Sequence, residues 1–87
     1  MSSRQRNNDV YEIISKNVTK YRKEANMTQE ELAEKANYSH QFIRRIEAPH
    51  VKTTFSLDTV YCLAKALDKE FSEMFIERKE EENDENI

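Results

Sequence analysis

No glycine occurs anywhere in the 87 residues, and Pro49 is the only proline. Those two residue types supply most of the sharp reversals and helix breaks open to a polypeptide, so this chain must turn by other means. Asparagine can take their place at a helix end, since it tolerates the left-handed backbone at some cost. The rest is rich in Glu, Lys, Ala, Leu, Gln and Arg, all good helix formers, and no alternating strand pattern of any length is present. The sequence therefore predicts an all-α protein, a compact bundle of five helices.

A chain this short is expected to form one domain with a modest core, one that needs close helix packing or a partner subunit. Cys62 is the lone cysteine, so an intramolecular disulfide and multi-cysteine zinc sites are excluded; within an apolar helical pattern it reads as a plain buried thiol. No 18-residue apolar run exists, and residues 1–20 lack the apolar stretch of a signal peptide, so a cytoplasmic protein is expected. No Ser/His/Asp or Cys/His arrangement emerges, and a phosphate-cradling glycine loop is impossible. His40, His50 and Cys62 would at most be three metal ligands on separate elements. We expect no enzyme, no cofactor and no metal.

The net charge of −3 argues at first against a nucleic-acid partner. Its distribution argues the other way. Residues 1–55 carry 10 Lys/Arg against 7 Asp/Glu, a balance of +3, whereas residues 56–87 carry 4 against 10, a balance of −6. A basic front with an acidic back suits docking one face on phosphates.

Residues 1–9 are polar, with Arg4 and Arg6, and read as a disordered start. Val10, Ile13, Ile14, Val18, Tyr21 and Ala25 then form one apolar stripe at helical spacing, predicting a first helix from Asp9 to Ala25 that stops at Asn26. Thr28-Gln29-Glu30-Glu31 is a capping box, with Met27 and Leu32 placed as a hydrophobic staple, and opens a short second helix over 29–36. After Asn37-Tyr38-Ser39 comes a third helix, 39–48, capped by Ser39 and turned inward by Ile43 and Ile46. Pro49 ends it. Residues 49–55 form a loop, and Ser56 caps a fourth helix with Leu57, Val60, Tyr61, Leu63, Ala64 and Leu67 on a broad apolar face. Phe71, Met74 and Phe75 suggest a short fifth helix. Residues 77–87 hold six acids against two bases and read as an acidic, frayed tail.

Two short helices joined by a three-residue turn, the second polar and basic outside, make a helix-turn-helix. Residues 27–47 (MTQEELAEKANYSHQFIRRIE) together with 56–67 (SLDTVYCLAKAL) resemble the Cro/C1-type, phage repressor-like family of DNA-binding proteins (the XRE family). The resemblance spans about residues 10–76, which we take as the DNA-binding domain, and implies a lambda-repressor-like bundle in a bacterial or phage-encoded protein. The chain departs from the family pattern at three places. Asn37 stands where glycine is usual. The loop after Glu47 is two residues longer than in the commonest members. That loop keeps Lys52 and His50, but has Phe55 at a site that can hold an arginine.

With Ile43 and Ile46 inward, His40, Gln41, Arg44 and Arg45 share the opposite stripe of the third helix. Gln pairs bidentately with adenine and Arg with guanine, so these side chains suit base edges; the plainer alternative is a solvated polar face. The resemblance implies base contacts at His40, Gln41 and Arg45, and more often backbone contact at Arg44. It further implies that Gln29 binds a phosphate at the amino end of the second helix and braces the reading helix. Thr28, Phe42, Lys52, Thr53 and Thr54 are the remaining backbone candidates, and Arg22 with Glu47 implies a partly buried ion pair. Phe71, Met74 and Phe75 are candidates for a homodimer interface. The expected partner is double-stranded operator DNA, with the protein acting as a repressor. The competing reading is an antitoxin-type regulator that uses the same fold to bind a protein or peptide. Phage repressors, restriction-modification controllers and chromosomal regulators all fit.

Overall fold

The computed structural model describes residues 10–49, 51 and 53–77. The expected opening segment with Arg4 and Arg6, the Asp9 cap, His50, Lys52 and all but the first residue of the acidic tail lie outside the described residues.

Among the described residues the chain is all-helical, in the order α1 (Val10–Glu24), α2 (Gln29–Ala36), α3 (His40–Glu47), α4 (Leu57–Ala66) and a 3₁₀ helix (Phe71–Phe75). The fifth piece is thus 3₁₀ rather than α. Phe71-Ser72-Glu73-Met74-Phe75 is a single short stretch, capped by reciprocal bonds between Glu70 and Glu73, and short stretches favour the tighter winding. Each of α2, α3 and α4 begins with a hydroxyl residue whose side chain accepts the amide three residues on: Thr28 from Glu31, Ser39 from Phe42, Ser56 from Thr59. Glu31 completes the capping box by accepting the Thr28 amide at 2.8 Å.

In place of glycine, three Asx residues among the described ones make the left-handed turns. Asn26 (φ 57°), Asn37 (φ 67°) and Asp68 (φ 61°) follow α1, α2 and α4. Beyond each, the next amide reaches back to a carbonyl of the finished helix: Met27 to Arg22, Tyr38 to Ala33, Lys69 to Ala64.

The core gathers Ile14, Val18 and Tyr21 from α1, Leu32, Ala33 and Ala36 from α2, and Ile43 and Ile46 from α3. Val60, Leu63, Ala64, Ala66 and Leu67 of the α4 region and Met74 complete it. Small alanines on α2 let α3 come close. The expected stripes are corrected at their edges. Val10 at the start of α1 and Ala25 just past its end are exposed, and Asn17 is buried between them. Its amide nitrogen donates to the carbonyls of Met74 (2.8 Å) and Ile76 (2.9 Å), which ties the end of the described chain to α1. Leu57 (70% exposed) and Tyr61 (51%) lie on the outward side of α4, so its apolar face is narrower than expected. Cys62 is half-buried rather than fully enclosed.

Met74 is fully buried, which removes it from the dimer candidates. The 3₁₀ winding turns it into the core, and Phe71 and Phe75 remain at the surface edge, stacked edge-on at 5.1 Å. No helix among the described residues is long and apolar enough to cross a membrane.

Candidate nucleic-acid interface

Helix α3 is only eight residues long, too short to persist alone in water, so tertiary contacts must hold it. Ile43 and Ile46 are 0% and 1% exposed, and burying each contributes roughly 2 kcal/mol. At its start Ser39 caps the Phe42 amide. The Phe42 ring lies against Tyr38 with centroids 5.1 Å apart, partly buried on the core. At its end the Glu47 carboxylate accepts from Arg22 twice, Nε to Oε2 at 2.8 Å and Nη2 to Oε1 at 2.9 Å. Both side chains are largely covered, at 12% and 5% exposure. The bonds to Glu47 hold the Arg22 guanidinium above its already high value, so the guanidinium stays charged.

These anchors leave the other side open. His40, Gln41, Arg44 and Arg45 are all exposed, and among the described residues none of their side chains has a hydrogen-bond or ion-pair partner. Two positive charges and two polar planes therefore project together into solvent. That is the arrangement a base-reading helix requires, and it places the four sequence-selected side chains on one face.

The backbone candidates divide. Gln29 is the first residue of α2, half-buried, and its Nε2 donates to Glu47 Oε1 at 3.0 Å. Thr28 commits its amide to Glu31 and its oxygen to the Glu31 amide, leaving its hydroxyl hydrogen available. Thr53 is otherwise engaged: its hydroxyl donates to the Arg45 carbonyl at 3.3 Å, pinning the loop to α3. Thr54 is exposed, whereas Phe42 is half-buried and offers a backbone only its rim. Phe55, where an arginine can stand in the family, packs edge-on against Tyr11 of α1 at 5.2 Å and anchors the loop instead of reaching outward. Between that loop and α1 an open cleft of about 750 Å³ is lined by Lys16, Lys20 and Lys23 together with Glu12 and Glu47, and Lys16 pairs with Glu12 at 3.8 Å and Lys20 with Glu24 at 3.0 Å. Among the described residues no group of three His, Cys, Asp or Glu could hold a metal ion.

What sequence reasoning missed is the junction between these parts. Gln29 and Arg22 share one oxygen of Glu47, and Arg22 Nη1 also donates to the Met27 carbonyl at 2.8 Å. The family likeness implies that Gln29 braces the reading helix, but not that it does so through Glu47, 18 residues away. Only the close approach of α2 and α3 reveals it.

Capped α2, a left-handed turn at Asn37 and an outward basic α3 define a helix-turn-helix protein. A helix-turn-helix family model matches residues 18–74, and the chain belongs to the Cro/C1-type helix-turn-helix family of DNA-binding transcription regulators. Among solved structures it is similar to C.Esp1396I, studied as a tyrosine-to-phenylalanine variant bound to its highest-affinity operator site OM. The two are 30% identical with a TM-score of 0.67, over 76% of this chain and 88% of that one. No curated protein sequence matches the chain.

Proposed function

We propose that this protein is a sequence-specific regulator, acting as a repressor, that inserts α3 into the major groove of a two-fold symmetric operator. Residues 10–76 form the DNA-binding domain, followed by an acidic tail. Gln41 and Arg45 read base edges, with His40 and Arg44 beside them. Gln29, the Thr28 hydroxyl and the Phe42 rim meet the backbone and set the register, with Lys52 and Thr54 adding backbone contacts from the loop. The observation that carries the reading is the outward face of α3, unengaged among the described residues and held from behind by Ile43 and Ile46. The likeness to an operator-bound protein over most of both chains supports it.

Two copies would present their α3 helices about 34 Å apart, in successive major grooves. Exposed Phe71, half-buried Phe75 and the outward Leu57 and Tyr61 of α4 support a homodimer, because apolar side chains of this size favour cover. The same residues favour the second reading, an antitoxin-type regulator that docks a different protein.

Selection of bound duplexes from random DNA tests the proposal. A two-fold symmetric consensus is the expected result. Recovery of sequences without a common motif would end the reading. Gel filtration of the purified chain separates the two partner readings: a dimer alone supports the operator-binding homodimer, and a monomer that assembles only with a second protein supports the other.

A further inference from the structure

We propose that Glu47 is the positioning residue for backbone contact: it aims the Gln29 amide so that an N–H, and never the carbonyl oxygen, faces a phosphate. This inference rests on the reading of Gln29 as a phosphate contact.

The geometry carries it. A side-chain amide has two faces of opposite character, a nitrogen with two hydrogens and an oxygen with two lone pairs. Only the first attracts a phosphate. Left free, the amide can swing either way. Here the atom 3.0 Å from Gln29 is a carboxylate oxygen, and an ionised carboxylate can only accept, so the nitrogen must face it. One hydrogen is then used on Glu47. The other sits on the same nitrogen, in the amide plane, and points away from the carboxylate.

The carboxylate is suited to this task because its own charge is neutralised in place. Arg22 donates to both of its oxygens, and the Glu47 side chain is only 5% exposed. A phosphate arriving beside Gln29 therefore meets an aimed donor without meeting an uncovered anion. Arg22 in turn holds the Met27 carbonyl at 2.8 Å, immediately before Thr28 and Gln29, so the backbone bearing the amide is fixed by the same guanidinium. Beyond tying α1 to α3, the ion pair sets the direction of a donor on α2.

The test is a double-mutant cycle on the full chain, with Gln29→Ala, Glu47→Gln and the double variant. Binding to the selected operator and to an unrelated duplex is measured across salt, on protein shown by circular dichroism to be folded. Glutamine at 47 can turn either an oxygen or a nitrogen toward Gln29, so the aim is lost while the volume is kept. Each single variant is expected to weaken both duplexes alike, on the order of tenfold, with the salt slope of Gln29→Ala little changed because a neutral amide displaces no counterion. The double variant should be no weaker than either single one. Losses that multiply in the double variant overturn the inference, as does a folded Glu47→Gln protein that binds normally. Normal binding by Gln29→Ala strikes at the phosphate reading itself, and the inference falls with it.

If Glu47→Gln does not fold, the unaltered protein decides. The two amide protons of Gln29 give separate NMR signals. Operator should move the outward one and leave the Glu47-facing one in place. Movement of the Glu47-facing proton would mean that the amide swings away on binding, against the proposal.

Discussion

Helices α3 and α4 follow one another in the chain and differ by two residues in length, yet they divide their surfaces in opposite ways. Helix α3 gives the core two isoleucines and turns charge and amide outward. Helix α4 gives it Val60, Leu63, Ala64 and Ala66, and still shows Leu57 and Tyr61 to solvent. What holds α3 is concentrated at few points: two side chains, a serine cap and one ion pair at its last residue. Its outer face is therefore free of any packing duty, which is the condition for varying that face to suit a DNA sequence. The outward apolar residues of α4 are surplus to the monomer, which suits a second protein surface.

The largest effect should come from the anchors. Ile43→Ala is expected to cost about 4 kcal/mol in urea unfolding, since it empties a fully buried site at the α2–α3 contact. A cost below about 1 kcal/mol would mean that the core does not hold α3, and the contrast with α4 would dissolve.

Arg45→Ala should leave unfolding within about 0.5 kcal/mol, as the side chain is exposed and has no partner among the described residues. Operator affinity should fall by roughly 1–3 kcal/mol, with selectivity relaxed at one base position in competition binding. Equal weakening at every base would recast Arg45 as a backbone contact.

Asn37→Gly should raise stability by up to about 1 kcal/mol, because φ of 67° suits glycine better than any residue with a Cβ. Calorimetry showing a lower melting point would mean that the Asn37 side chain contributes more than its backbone strain removes. The smallest change is expected from Leu57→Gln, within about 0.5 kcal/mol for the monomer, coupled to a weaker dimer in sedimentation. If instead this substitution unfolds the monomer, α4 is less like a free surface than its exposure implies.

Much of this was legible because helix signals are local. The Thr28 capping box, the hydroxyl caps, the Asn26 and Asn37 stops and the inward isoleucines of α3 lie within a few residues of what they control, and the family pattern of residues 27–47 fixes their order. Long-range polar partners were not legible. Asn17 looks like an interruption in an apolar stripe until the carbonyls of Met74 and Ile76 arrive from 57 and 59 residues away. Met74 looks like part of an aromatic surface group until the 3₁₀ winding turns it inward. Leu57 reads as core because its spacing is right. It sits at the first turn of α4, where it is left 70% exposed.

One small chain of hydroxyls has a wider reach. Tyr38, in the turn between α2 and α3, donates to Thr59 Oγ1 at 3.0 Å, and Thr59 Oγ1 in turn lies 3.1 Å from Ser56 Oγ, the cap of α4. Opening the first turn of α4 therefore frees a phenol on which Phe42 rests, at the base of the DNA-facing helix. Backbone amides at the start of α3 and at the start of α4 should exchange with solvent as one cooperative unit, and removing the Tyr38 oxygen should let them exchange separately.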